Sequence, residues 1–167
     1  MKKVSYINTM PFEYDPINHK RSPYRPIDCE GYRNRGELLE SMAKWHRGVY
    51  TTVNPNTSYC TGSDIESEHA SVKSSEGSLG RNIGGHTASA STKIKVYFKT
   101  VHSTIFIWIE YDPITQIVTE YQMNKYEFGA FVQRWTRICN NSEHTELAIR
   151  FKKTSKSMIN WLEERCA

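Results

Sequence analysis

The sequence predicts a mixed α/β domain, with one central sheet flanked by helices. Three observations carry that expectation. Residues 34–48, NRGELLESMAKWHRG, place Leu38, Met42 and Trp45 at the i, i+4, i+7 spacing of one helix face. Residues 103–111, STIFIWIEY, are apolar at successive positions, as a strand covered on both faces must be. Residues 124–135 return to helical spacing behind a paired start signal, Asn124 with Glu127.

Taken in chain order, residues 1–33 are rich in Tyr, Pro, Asn and Arg and lack a period. They read as an irregular N-terminal arm, set apart from a single α/β domain over 34–167. The first helix starts where Asn34 can cap it and Glu37 can complete a capping box, and Gly48 stops it. VYTTV, 49–53, is β-rich, and NPNTSYCTGSD then gives a turn and a short second strand. Alternation over 67–74, SEHASVKS, sends Ala70 and Val72 to one face and His69, Ser71 and Lys73 to the other.

A Ser/Gly/Thr-rich loop spans 74–92, and a second helix over 92–102 aligns Ile94, Tyr97, Phe98 and Val101. Asp112-Pro113 breaks the apolar strand, and QIVTEY, 116–121, returns as its hairpin partner. The third helix buries Phe128, Phe131, Val132 and Trp135, with Met123 and Phe128 at staple positions. ELAIRF, 146–151, is a last strand, and Ser155 caps a C-terminal helix bearing Ile159 and Leu162. The predicted order is α-β-β-β-α-β followed by a β-α-β-α extension.

Composition narrows the function. With 167 residues, 38% hydrophobic and 24% charged, the chain can bury one core and is not of disordered type. No run approaches the roughly 18 apolar residues of a membrane span, and MKKVSYINTMPFEYD lacks the apolar stretch of a signal peptide. A net charge of +4 permits a nucleic-acid partner without requiring one. Cys29, Cys60, Cys139 and Cys166 form no C-x₂-C pair, so neither structural zinc nor disulfide staples are expected, and a reducing, cytoplasmic setting is the default. No P-loop ending, nucleophile elbow or zinc-protease helix is present.

The chemistry-bearing constellation is Glu37, Asp64, Ser71 and Lys73. Ser71 and Lys73 share a strand face, Asp64 precedes that strand by a hairpin-like distance, and Glu37 lies on the preceding helix. Phosphodiester hydrolysis needs oxygen ligands for Mg²⁺ (or Mn²⁺), and a nearby lysine to orient the attacking water and neutralise charge. Each residue also has a plainer reading: Glu37 as a cap, Asp64 as a turn residue, Lys73 as a solvated strand end.

In element order and in these residues, the chain resembles the PD-(D/E)XK nuclease superfamily over 34 to about 110. The resemblance implies a restriction-endonuclease-like αβββαβ core. It places Asp64 at the end of the second core strand, Ser71-Val72-Lys73 at the acid-x-Lys of the third, and Glu37 as the first-helix glutamate. No proline precedes Asp64, and Ser71 stands where the second acid belongs, with Glu66, Glu68 and Glu76 as the carboxylates near enough to substitute. The stretch GSDIESEHASVKSS and the helix from Trp161 to Glu164 are also similar to small uncharacterised proteins of phages and mobile elements.

The implied activity is Mg²⁺-dependent DNA cutting by Asp64, Ser71, Lys73 and Glu37, with Asp64 and Glu37 on the metal and a homodimer where both strands are cut. The alternative is a non-catalytic nucleic-acid- or protein-binding module on the same fold, serving mobile-element control or counter-defence. Candidate DNA contacts are Arg33 and Arg35, interleaved with Tyr24 and Tyr32; Ser74 and Ser75; and Arg81, on a loop that closes over the duplex. Lys152, Lys153 and Lys156 read as a solvated basic end.

Overall fold

The structure, a computed structural model, describes residues 1–15, 17–18, 24–26, 35–50, 63–75, 77–79, 91–92, 103–140 and 147–167. Its framework is a four-stranded mixed sheet, order β1-β7-β6-β4. These strands are β1 (Lys2–Ile7), β4 (Ala70–Lys73), β6 (Ile105–Asp112) and β7 (Ile117–Asn124). Two smaller sheets accompany it: β2 (Phe12–Tyr14) with β3 (Tyr24–Pro26), and β5 (Ser91–Thr92), β9 (Leu147–Phe151) and β8 (Thr136–Asn140) in that spatial order. The helices are α1 (Arg35–His46), α2 (Lys125–Trp135) and α3 (Lys156–Cys166). Among the described residues no helix is long and apolar enough to cross a membrane.

Strand β6 is the interior strand its unbroken apolar run requires. It pairs antiparallel with β7 on one side and parallel with β4 on the other. Its side chains alternate between two cores. Ile107, Ile109 and Tyr111 pack with Leu38, Leu39 and Met42 of α1, whereas Phe106 and Trp108 pack with Phe128 and Phe131 of α2 and with Met158 and Leu162 of α3. Phe106 stacks on Phe128 at 4.3 Å between ring centroids.

The helix ends follow the residues that signal them. The α1 carbonyls are closed by a Schellman motif: Val49 N–H donates to Lys44 O and Gly48 N–H to Trp45 O, both at 3.0 Å, with Gly48 at φ +70°. Asn34, the expected cap, lies outside the described residues. At α2 the capping box is complete, Glu127 N–H donating to Asn124 Oδ1 at 2.8 Å and Asn124 N–H to Glu127 Oε1 at 3.0 Å. Ser155 accepts from Met158 N–H at the head of α3.

Several expectations are corrected. The arm expected to be irregular over 1–33 contributes β1, paired antiparallel with β7 from Lys2↔Gln122 to Ile7↔Ile117. Its signal is weak because β1 is an edge strand with exposed lysines rather than an apolar one. One sheet was expected; the described strands form three. The strand expected over 67–74 shortens to Ala70–Lys73, because Ile65 and Ala70 pair with each other and fold 66–69 into a turn. An unexpected β8 follows α2 without a loop, where Thr136-Arg-Ile-Cys supplies β-branched alternation.

Val49 and Tyr50 form no strand, and the rest of the strands expected over 49–62 lie outside the described residues. So does the helix expected over 92–102 from residue 93 onward; Ser91 and Thr92 belong to β5.

Candidate functional site

Among the described strands, β4 ends the sheet on the side away from β1. Its outward-facing backbone groups are met by the segment just before it. Ile65 exchanges two hydrogen bonds with Ala70, N–H to O at 3.0 and 3.1 Å. Beyond them, Asp64 Oδ2 accepts the Val72 N–H at 2.7 Å and the Ser71 hydroxyl at 3.4 Å. A carboxylate thus blunts what would be an open sheet edge. Asp64 Oδ1 takes no hydrogen bond among the described residues.

The turn between them is compact. Ile65 is sunk in the core, Glu66–Glu68 form one 3₁₀ turn, and His69 closes it in the left-handed region at φ 50°. His69 itself is exposed.

Helix α1 supplies the acidic neighbours. Its apolar residues Leu38, Leu39, Met42 and Ala43 are fully buried, which leaves Glu37 and Glu40 on its half-buried flank. Glu40 pairs with Lys44 at 2.8 Å. Burial, then the charge of Asp64, push the Glu40 carboxyl above the usual carboxylate range; Lys44 opposes the shift and Glu37 adds to it. Asp64, ahead of β4, and Glu37, on α1, thus both act on Glu40 as like charges.

The sheet divides the sequence-derived constellation. Val72 packs into the α1 core. Ser71 and Lys73 are paired with Phe106 and Trp108, residues of the opposite core, and alternation places them on that opposite face. Glu37 thus belongs to the α1 side of the sheet and Lys73 to the other. Asp64, at the edge, joins them: it hydrogen-bonds Ser71 and acts electrostatically on Glu40.

Ser71, Ser74 and Ser75 are buried, and Ser75 has no exposed surface. Its N–H donates to Ser78 Oγ at 3.1 Å and its hydroxyl lies 3.2 Å from Thr154 Oγ1. Ser74 and Ser75 were expected on a nucleic-acid surface; they face inward, because the turn after β4 folds onto the head of α3. Arg33 and Arg81 lie outside the described residues, and Arg35 is placed only as the first residue of α1.

Other polar groups escaped the sequence reading. Glu110 Oε1 collects the Trp108 indole N–H at 2.6 Å, the Thr154 hydroxyl at 2.9 Å and the Ser78 hydroxyl at 3.2 Å. Glu120 is fully buried and paired with Arg47. Glu40 was legible in principle, three residues after Glu37 and four before Lys44. Glu110 and Glu120 offered only the oddity of an acid within an apolar strand.

Among the described residues no three His, Cys, Asp or Glu side chains group closely enough to hold a metal ion. Compared with known proteins, the chain matches no family model, no curated protein and no solved structure.

Proposed function

We propose that this chain is a metal-dependent nuclease of the PD-(D/E)XK type acting on DNA. The supporting observation is the like charge that Asp64, just ahead of the Ser-Val-Lys strand, and Glu37 add to burial in raising the Glu40 carboxyl. Such a cluster is eased by a cation. In this reading Asp64 and Glu40 hold Mg²⁺ or Mn²⁺, which supplies Lewis-acid polarisation of a phosphate and a more acidic bound water. Glu40, on the helix, takes the place of the acid missing at Ser71. Glu37 strengthens the negative field, Ser71 steadies Asp64 by its hydrogen bond, and Lys73 assists water at the strand end. A homodimer would cut both strands, and the phage or mobile-element setting follows from the sequence resemblance alone.

A second reading, a non-catalytic binding module for nucleic acid or protein, is favoured by two observations. Lys73 lies on the sheet face opposite α1. No group of three metal-ligating side chains is present among the described residues.

Incubation with supercoiled, linear and single-stranded DNA in Mg²⁺ or Mn²⁺ separates the two. The nuclease reading expects cutting by the wild type and loss in Asp64→Asn, Glu40→Gln and Lys73→Ala. Salt-sensitive DNA binding with no cutting assigns the binding module instead.

A further inference from the structure

The Asp64 turn is held from a distance by one arginine. Arg47 sits at the end of α1, its backbone fixed by the Schellman closure. Its guanidinium makes two roughly parallel bonds to Glu120, Nη1–H to Oε2 at 2.7 Å and Nη2–H to Oε1 at 2.6 Å. Nη1 also donates to Ala43 O at 3.1 Å. The remaining edge, Nε–H, donates to Glu68 in the 3₁₀ turn between Asp64 and β4. Glu120 lies on β7, whose register with β6 fixes it in the middle of the sheet, and Tyr6 and Gln122 donate to it as well.

We infer that Arg47 is a positioning residue for Asp64. It ties the rigid centre of the sheet to the tip of the Glu66–Glu68 turn, so that Asp64 is presented against β4 with Oδ2 committed to Val72 and Oδ1 left for a ligand. Ile65 anchors the turn from beneath by burial, and the Arg47–Glu68 bond anchors it from the side. The guanidinium fork suits this task because it serves both carboxylates at fixed angles, which a lysine cannot do. The inference deepens the nuclease reading and rests on it for its catalytic consequence.

Glu68 is the place to test it, since its replacement leaves the buried Arg47–Glu120 pair intact. In Glu68→Ala the Val72 amide should exchange hydrogen several-fold faster while the Tyr121 amide in β7 keeps its protection. DNA cleavage should lose about tenfold in kcat with KM unchanged, the usual size of an effect from beyond the ligands themselves. Glu68→Gln, which keeps an oxygen for the Arg47 Nε–H, should restore most of both. Unchanged Val72 exchange in Glu68→Ala, or unchanged kcat, overturns the inference. If the wild type cuts no DNA, the nuclease reading fails by itself, and Val72 exchange alone then decides whether Arg47 positions Asp64.

Discussion

The guanidinium of Arg47 and the carboxylate of Glu120 meet through two hydrogen bonds of 2.7 and 2.6 Å, with Glu120 shielded completely from water. Removing one partner strands the other as a buried charge. Arg47→Met should therefore cost about 3–5 kcal/mol of unfolding free energy. Adding Glu120→Leu should recover most of that loss, because an apolar pair of similar volume needs no solvation. Urea denaturation of the two single variants and the double variant measures the difference.

The same network gives an acid limb to the stability profile. Burial alone would raise the Glu120 carboxyl, but hydrogen bonds from Arg47 and Tyr6 and the Arg47 charge outweigh it and hold the carboxyl below its ordinary value. A depressed carboxyl stabilises the fold above its unfolded-state value of about 4.3, and the contribution is lost as pH falls through the folded value. Thermal unfolding between pH 6 and pH 2.5 should show a steep acid loss in the wild type and a shallower one in Glu120→Gln.

Glu40 has the opposite sign. Its raised carboxyl favours the protonated form in the folded state, so its contribution is present below the unfolded-state value and lost as pH rises through the folded one. The stability difference between Glu40→Gln and wild type, read as melting temperature, should move toward the variant between pH 3.5 and pH 7. At neutral pH, millimolar Mg²⁺ should raise the melting temperature of the wild type and leave Glu40→Gln nearly unmoved. Equal responses would remove Glu40 from the cation site.

Gly77 makes a purely steric prediction. It adopts φ +98°, and a Cβ there would lie 3.2 Å from Thr154 Cβ and 3.3 Å from Thr154 O. Gly77→Ala should cost about 1–2 kcal/mol. It should also expose Ser75 and Ser78, which meet Thr154 through their hydroxyls, as read by calorimetry and by amide exchange at Tyr111, whose N–H donates to Ser78 O.

What the sequence revealed depended on how local the cause was. The α2 capping box and its stripe of Phe128, Phe131, Val132 and Trp135 stand as expected, since both depend on residues three or four apart. Strand β6 was legible because burial on both faces leaves a continuous apolar run. By contrast, β1 draws its place from β7, and nothing within Lys2–Ile7 announces that partner. The site follows the same rule. Ser71 and Lys73 share a face as alternation requires, but the opposite placement of α1 is a property of how the layers stack. Glu120 is polar by local reading and becomes intelligible only beside Arg47, 73 residues earlier in the chain.

The pairing of β1 with β7 has a temporal consequence. The nearest partners, Ile7 and Ile117, are separated by 110 positions, so a nascent chain emerging at about 5–20 residues per second must wait on the order of ten seconds before the sheet can close over its first strand. During that interval β1 is a bare β-segment in a crowded cell. Lys2 and Lys3, both exposed, place like charges on it that discourage a second nascent chain from docking in register. Neutralising both lysines should leave the finished fold nearly as stable while lowering the yield of native protein during rapid synthesis.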